Sequence, residues 1–409
     1  MGCGSAGNDG APGASAADRP AESGPRDTAS TDTPPIEPAL ATEPTAATSR
    51  PGSSAASLAL DMPPLLPLDP VSAGVEPLQV PGRLSFTLDG TLYLQDRGVI
   101  TAGIGGGANS TLLAPALASD GRVAFIQFFE DPNDPLNLRS ALWLRGPDGL
   151  LYLLRAPTGA GEFYWTPRWT GDERALLYAH QRTALPQLAR AFDPTPSAIP
   201  APTTTPPLQA GDPGADGRGF DVDTEHLTLA TGEVRVLRPH ARDGALSPDG
   251  HALAFVDDPA RDHRLALLDL ATGEERVLAD LDSGLAIYRL PRFSPDGEQI
   301  AFLAAGNGPL VAAVAAGAPP LAALRLERRH GIGDLWLVDR DGDNLRRLTE
   351  LFEDAPTFSW AADGEQIVLQ GATGLYQIDV PSGVVEVIGP ASFHGWIDWR
   401  GAFPALPVG

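Results

Sequence analysis

A chain of 409 residues with 43% hydrophobic residues can bury a sizeable core, while its formal charge of −23 excludes the basic footprint that nucleic-acid recognition needs. The single cysteine, Cys3, excludes an intramolecular disulfide and any cysteine-based metal site. The longest apolar run, PLVAAVAAGAPPLAAL at 309–324, is interrupted by Gly317 and Pro319-Pro320 and falls short of the roughly 20 residues that a spanning helix requires.

Residues 1–78 are dominated by Ala, Pro, Ser, Thr, Gly and Asp, with no aromatic residue before Phe86. Such a composition buries too little apolar surface to offset the entropy of ordering, so a disordered tether is expected over 1–78. Its opening, GCGSAGNDGAPGAS, resembles the start of a mature bacterial lipoprotein, with Gly2 as the small residue before a lipid-bearing Cys3. The apolar and basic regions of a signal peptide would lie upstream of it. The resemblance implies an extracytoplasmic protein that meets the membrane only through a lipid anchor. The plainer account is a cytosolic chain with an incidental thiol. A myristoylation site is disfavoured, because Ala6 stands where Ser or Thr is wanted.

The folded part is expected over 79–403. It begins with GRLSF (82–86), TLYLQD (91–96) and VITAG (99–103), which read as the second, third and fourth strands of a unit lacking its first. Five copies of one plan then follow: LAPALASDGRVAF (113–125), WTPRWTGDERALLY (165–178), DGALSPDGHALAF (243–255), LPRFSPDGEQIAF (290–302) and APTFSWAADGEQIVL (355–369). In each, an extended segment meets a turn built on Asp, with Gly in all but the TGDER copy at the position after it, and then an apolar strand. Asp bonds its own following backbone, and Gly tolerates positive φ. After each copy comes a second hairpin: SALWLRGPDGLLYLL (140–154), EHLTLATGEVRVL (225–237), RLALLDLATGEERVL (264–278), DLWLVDRDGDNLRRLT (334–349) and GLYQIDVPSGVVEVI (374–388). Pro- and Gly-rich insertions at about 184–220 and 306–332 stretch two of the repeat intervals.

Each unit is thus four antiparallel strands, and a lone four-stranded sheet cannot cover both of its apolar faces. Stacking units radially does so, which predicts an all-β, six-bladed β-propeller. FHGWIDWRG (393–401) reads as an isolated first strand. Added to the three N-terminal strands it completes a sixth blade and removes the exposed edges of an open array.

SPDGHALAF, FSPDGEQIAF and DLWLVDRDGDNLRRLT resemble the WD40-like Pro-Asp repeats of TolB-type propellers, whose pattern is close to P-x-W-S-P-D-G-x-x-I-A-F followed by a hairpin ending in R-x-L-T. The resemblance covers about 80–401, being strongest over 243–388. It implies a propeller outside the cytoplasm that binds other envelope proteins. The amino-terminal α/β domain of the periplasmic Tol-system protein has no counterpart here.

No G-x-S-x-G elbow and no H-E-x-x-H occurs, so no catalytic residue, metal ligand or cofactor is assigned. The seven histidines (His180, His226, His240, His251, His263, His330 and His394) are scattered and expected at surfaces or turns. Asp339-Arg340-Asp341-Gly342-Asp343-Asn344 offers oxygen ligands around a glycine but lacks the distal bidentate Glu of a calcium loop, and it is expected to be a hairpin turn. Asp257 and Asp258 read as solvated loop charge. Trp165, Trp169, Trp360, Trp396 and Trp399 are expected in inter-blade packing, with Trp165 or Trp396 the candidates for exposed binding aromatics.

One position in each first strand points to a ligand: Ala116, Arg168, Ala245, Arg292, Ser359 and Asp398. First strands line a propeller's channel, so Arg168, Arg292 and Asp398 are the candidate ligand-binding residues, and two arginines suit an anionic peptide terminus or other carboxylate. The competing account turns these side chains between blades, where they pair with neighbouring acids. The expected function is non-catalytic binding or scaffolding of envelope proteins or peptides by a monomer, with no nucleic-acid partner. The alternative is a lactonase-, lyase- or glycosidase-like enzyme with its site in the channel.

Overall fold

A strand buried on both faces needs a continuous apolar run, whereas a strand at the rim needs apolar residues on one face only. Both kinds occur in every repeat. The computed structural model describes residues 62–69, 74–131, 134–183, 220–257, 264–306, 333–351, 357–389 and 395–403. Among them six antiparallel sheets form, each a blade. From the axis outward, blade II is Ser110–Leu117, Val123–Asp131, Asp134–Arg145 and Leu151–Arg155. Blade III is Glu162–Trp169, Ala175–Thr183, Phe220–Thr228 and Val234–Pro239, and blade IV is Ala241–Leu246, Ala252–Asp257, Leu265–Asp269 and Glu275–Ala279. Blade V is Ala286–Phe293, Gln299–Ala305, Asp334–Asp339 and Arg346–Arg347, and blade VI is Thr357–Trp360, Gln366–Gln370, Leu375–Asp379 and Val385–Gly389.

Blade I is the composite. Its inner strand Ile397–Arg400 pairs with Arg83–Leu88, in the register Arg83 to Arg400 and Phe86 to Ile397, and Thr91–Asp96 and Val99–Gly105 follow outward. The ring therefore closes as the sequence predicts, with one C-terminal strand and three N-terminal ones. A fifth strand, Leu66–Leu68, lies beyond the expected set and pairs with Val99–Gly105. Leu78 and Val80 are also buried, and the Gln95 amide bonds both the N–H and the C=O of Leu78 at 2.8 Å. Ordered chain thus starts before residue 79. The outer edge of blade I offers unpaired backbone groups that Leu66–Leu68 satisfies, and the bulk composition of 1–78 conceals this LPL stretch.

Burial grades outward within each blade. The second strands Ala252–Asp257 and Gln366–Gln370 are buried throughout, while Leu151–Arg155, Val234–Pro239 and Val385–Gly389 at the rim are mostly exposed or half-buried. Core clusters form between blades rather than within them. Phe255 and Leu177 join IV to III, Tyr288 and Leu278 join V to IV, Phe358 and Leu303 join VI to V, and Phe86 and Val368 join I to VI. Asp257, expected in solvent, is 2% exposed and paired with Arg264 and Arg238. Its place at the end of a fully buried strand takes it out of water.

The turn between first and second strands explains its own sequence. In blade IV the Asp249 carboxylate accepts from the Ser247 hydroxyl and from the His251 N–H, and Gly250 takes φ 74° to return its N–H to Ser247 O. In blade V Asp296 accepts from Ser294 Oγ at 2.5 Å and Glu298 N at 3.1 Å, with Gly297 at φ 79°.

Four inner strands carry a bulge at one equivalent place, where Ala114, Thr166, Asp243 and Leu290 adopt positive φ and the pairing register shifts. An extra residue rotates the rest of the strand beyond it. Two residues on stand Ala116, Arg168, Ala245 and Arg292.

Candidate functional site

Those four residues, together with Ser359 of blade VI and Asp398 of blade I, line one cavity of about 370 Å³ on the propeller axis. The lining runs from this ring up to Gly171, Pro248, Pro295 and Ala362 in the first-to-second-strand turns, so the cavity opens on the face that carries those turns. It takes in none of Thr166, Asp243, Leu290, Thr357 or Trp396, the residues two positions back along the inner strands. The cavity is a funnel with a floor, and all three of Arg168, Arg292 and Asp398 are brought together there.

Asp398 ties four blades. Its Oδ2 accepts from the Leu117 N–H of blade II at 2.7 Å, and its Oδ1 accepts from Ser359 Oγ of blade VI at 3.2 Å and Arg292 Nη1 of blade V at 3.3 Å. Arg292 is 8% exposed, lies 5.1 Å over the Phe358 ring and donates from Nη2 to Thr357 Oγ1 at 3.3 Å. Burial and the neighbouring Arg168 charge bring its pKa down to about 9 against the pull of Asp398, leaving it charged at neutral pH. Arg168 is lowered by burial too, offset by Asp398 and Asp243. These side chains line the channel cavity, and Arg292 is paired with Asp398 there.

Pairing leaves capacity over. Arg168 Nη1 donates to the carbonyl of Pro167 at 3.0 Å, but its Nη2 is buried without a protein acceptor, as is Arg292 Nε. A buried donor left unmade costs about 1–3 kcal/mol, so the floor favours any acceptor that reaches it. Asp243, one layer below, accepts from Thr166 Oγ1 at 3.2 Å and the Leu290 N–H at 3.4 Å.

The walls combine Ala116, Ala245, Phe293, Trp169, Trp360 and Trp399 with the polar Thr170 and Ser294 and, at the rim, Glu173 and Arg400. The indole N–H groups are already used. Trp169 donates to Ala116 O at 2.9 Å, Trp360 to Arg292 O at 3.2 Å and Trp399 to Pro81 O at 2.6 Å. The first two are one repeated contact, in which the residue after the ring position bonds the ring position of the preceding blade. They answer the expectation of inter-blade packing. Trp165 stacks on Phe163 and lies beside Phe128, and Trp396 packs against the cluster between blades V and VI and against the cluster between blades II and III.

No protein-family model matches the chain, and no curated protein matches it. Solved structures do. TolB from Acinetobacter baumannii is 16% identical with a TM-score of 0.42, over 74% of this chain and 67% of that one. A putative TolB from Agrobacterium tumefaciens is 14% identical with a TM-score of 0.45, over 81% of this chain and all of that one (100%). An oligogalacturonate lyase in complex with manganese is 14% identical with a TM-score of 0.42, over 73% and 70%. The likeness is one of fold.

Elsewhere, the sequence reading misses a buried ionic cluster in blade III. His180, expected at a surface or turn, is 6% exposed and lies between Glu225 (Nδ1, 2.8 Å) and Glu162 (Nε2, 2.9 Å). Tyr164 stacks on its ring and donates to Glu162, and Arg155 stands 3.9 Å from Glu225. The three residues sit on adjacent strands in register, His180 opposite Tyr164 and Asp223, which spacing along the chain does not reveal. His226 and His240 are half-buried and His251 is exposed in a turn, while His263, His330 and His394 lie outside the described residues. Among the described residues no group of three His, Cys, Asp or Glu side chains is arranged to hold a metal ion. The Asp339–Asn344 run is the turn after the third strand of blade V, and Asp339 accepts from Asn344 at 2.6 Å and Gln299 at 2.9 Å. Cys3 and, apart from Phe220 and Gly306, both insertions lie outside the described residues.

Proposed function

We propose that this protein is a non-catalytic binding propeller of the cell envelope, taking a segment of a partner protein into the axial funnel. One observation carries this: two guanidiniums, each with a buried N–H that no protein atom accepts, converge at the bottom of an accessible cavity of about 370 Å³. A cavity of that size is at the small end of ligand sites and suits the tip of a chain. Aromatic walls whose polar atoms are already bonded add apolar area without competing for the ligand's hydrogen bonds. The channel-enzyme alternative gains nothing from the floor, where the one carboxylate, Asp398, accepts bonds at both oxygens from fixed donors.

Capture from an envelope extract by the full-length protein, compared with Arg168→Gln, tests this role. A partner retained by the wild type and lost by the variant supports it, whereas equal capture by both, or none above a denatured control, overturns it. The proposal includes extracytoplasmic anchoring through Cys3. With the gene expressed from its upstream reading frame, membrane association abolished by Cys3→Ser is the expected result.

A further inference from the structure

We propose that the chain over 62–69 and 74–82 is a clasp that keeps the ring shut at blade I, and that its release frees the C-terminal inner strand together with Asp398 and Trp399 of the funnel. The clasp is independent of what the funnel binds.

In blades II to VI the inner strand runs through a covalent turn into the second strand of its own blade. Ile397–Arg400 has no such turn. Four residue pairs, from Arg83 with Arg400 to Phe86 with Ile397, join it to blade I. Where the turn would stand, two separate stretches of backbone press together instead. Gly82 precedes Arg83 and Gly401 follows Arg400. A Cβ on Gly82 would run into the Arg400 carbonyl, and one on Gly401 would lie 2.5 Å from the Pro81 carbonyl oxygen. Only glycine permits so close an approach.

Trp399 shows what the clasp displaces. Trp169 and Trp360, at the same place in blades III and VI, donate to the ring-position carbonyl of the preceding blade, whereas Trp399 donates to Pro81 O at 2.6 Å. A repeated inter-blade bond is redirected to the clasp.

Upstream of Pro81 the clasp is held on blade I. Gln95 accepts from the Leu78 N–H and donates to the Leu78 carbonyl, both at 2.8 Å, and it reaches Val80 O at 3.4 Å. Leu78 and Val80 are buried in the cluster between blades I and VI that also holds Ile397 and Trp399. Leu66–Leu68 runs along the outer edge, Leu65 packs on the cluster between blades I and II, and Pro63 O accepts from Gln127 Nε2 of blade II at 2.8 Å. The clasp therefore meets both neighbours of blade I. Asp398 stands between Ile397 and Trp399, so loss of their strand takes the carboxylate away from Arg292 and from the Leu117 N–H.

The test is native-state hydrogen exchange on the full-length protein, read by mass spectrometry over a denaturant series below the unfolding transition. In the wild type, Leu78–Gly82 and Ile397–Arg400 are expected to open in one step, at lower denaturant than Ala241–Leu246 and Ala286–Phe293. Gln95→Met removes three clasp bonds and none to the C-terminal strand. It should speed exchange at Ile397–Arg400 at least tenfold and leave Ala241–Leu246 at the wild-type rate. Ile397–Arg400 opening only together with Ala241–Leu246, or opening in a separate step from Leu78–Gly82, overturns the clasp. So does a wild-type rate at Ile397–Arg400 in Gln95→Met. The wild-type series decides the matter even where the variant fails to fold.

Discussion

Glu173 of blade III accepts from the backbone N–H of Ser119 at 2.9 Å and from its hydroxyl at 2.6 Å, across the boundary with blade II. It does so from a left-handed backbone, φ 54°, at the turn position that Gly121, Gly250, Gly297 and Gly364 fill in the other copies. The same carboxylate meets Arg400 of blade I at 3.1 Å, on the rim of the funnel. The departure from the repeat in TGDER is thus a tie among three blades.

Replacing this residue separates strain from contact. Glu173→Ala loses the ties and keeps a side chain at positive φ, whereas Glu173→Gly loses the ties and relieves the strain. Glycine should therefore be the more stable of the two by about 1 kcal/mol. Thermal unfolding decides it, and an alanine variant as stable as the glycine variant would contradict the left-handed assignment.

The His180 cluster predicts a stability profile with two flanks. Burial opposes charge on His180, but hydrogen bonds to Glu162 and Glu225 outweigh it and raise the pKa. Its contribution is complete below the ordinary histidine value of about 6.5 and fades as pH climbs through the raised one. Burial likewise opposes charge on Glu162, yet bonds from His180, Thr158 and Tyr164 hold it down at about 2. That contribution is complete above about 4.3 and is lost as pH falls toward 2. His180→Gln should cost about 3 kcal/mol, since two carboxylates stay buried without their cation, and should flatten the alkaline flank in chemical denaturation. Parallel wild-type and variant profiles from pH 6 to pH 9 would refute the charged clamp.

Asp398→Asn removes the carboxylate that faces Arg292, whose side chain is 9% exposed. An uncompensated buried guanidinium should destabilise the ring by about 3 kcal/mol, and added formate should restore part of the melting temperature by supplying the missing anion. A formate response no larger than that of the wild type would argue against an accessible anion position on the floor.

The tryptophan contacts at the inner strands give a simple additivity test. Trp169→Phe and Trp360→Phe each remove one indole N–H from a carbonyl of the preceding blade. Each should cost about 1 kcal/mol, and the double variant about their sum. Denaturant titration checks this, and a negligible cost for both would remove these bonds from the account of blade registration.

Much of the architecture is legible in the residues alone. Asp followed by Gly, recurring between apolar strands, is a local instruction, since the carboxylate bonds its own turn and glycine relaxes the backbone. The split of blade I follows from counting strands at each end. The ring positions are legible as well, because they stand at a constant offset from the turn. Their direction is not. It depends on a bulge at Ala114, Thr166, Asp243 and Leu290, and none of these residues is of a type that advertises positive φ except Asp243. Leu66–Leu68, His180 and Glu173 escape for a related reason: each is explained by a neighbour distant in the chain.

The amino-acid sequence by itself determined the repeat, the blade count and the closure, because hydrophobic period and turn chemistry act over a few residues and every blade must satisfy them alone. Only the tertiary structure decided that Arg168, Arg292 and Asp398 share one floor, that two of their donors stay unmatched, and that His180 is clamped between two carboxylates. Those outcomes depend on strand rotation and on contacts across blades, where Coulomb forces and desolvation act between residues far apart in the chain, 281 positions in the bond from Leu117 to Asp398.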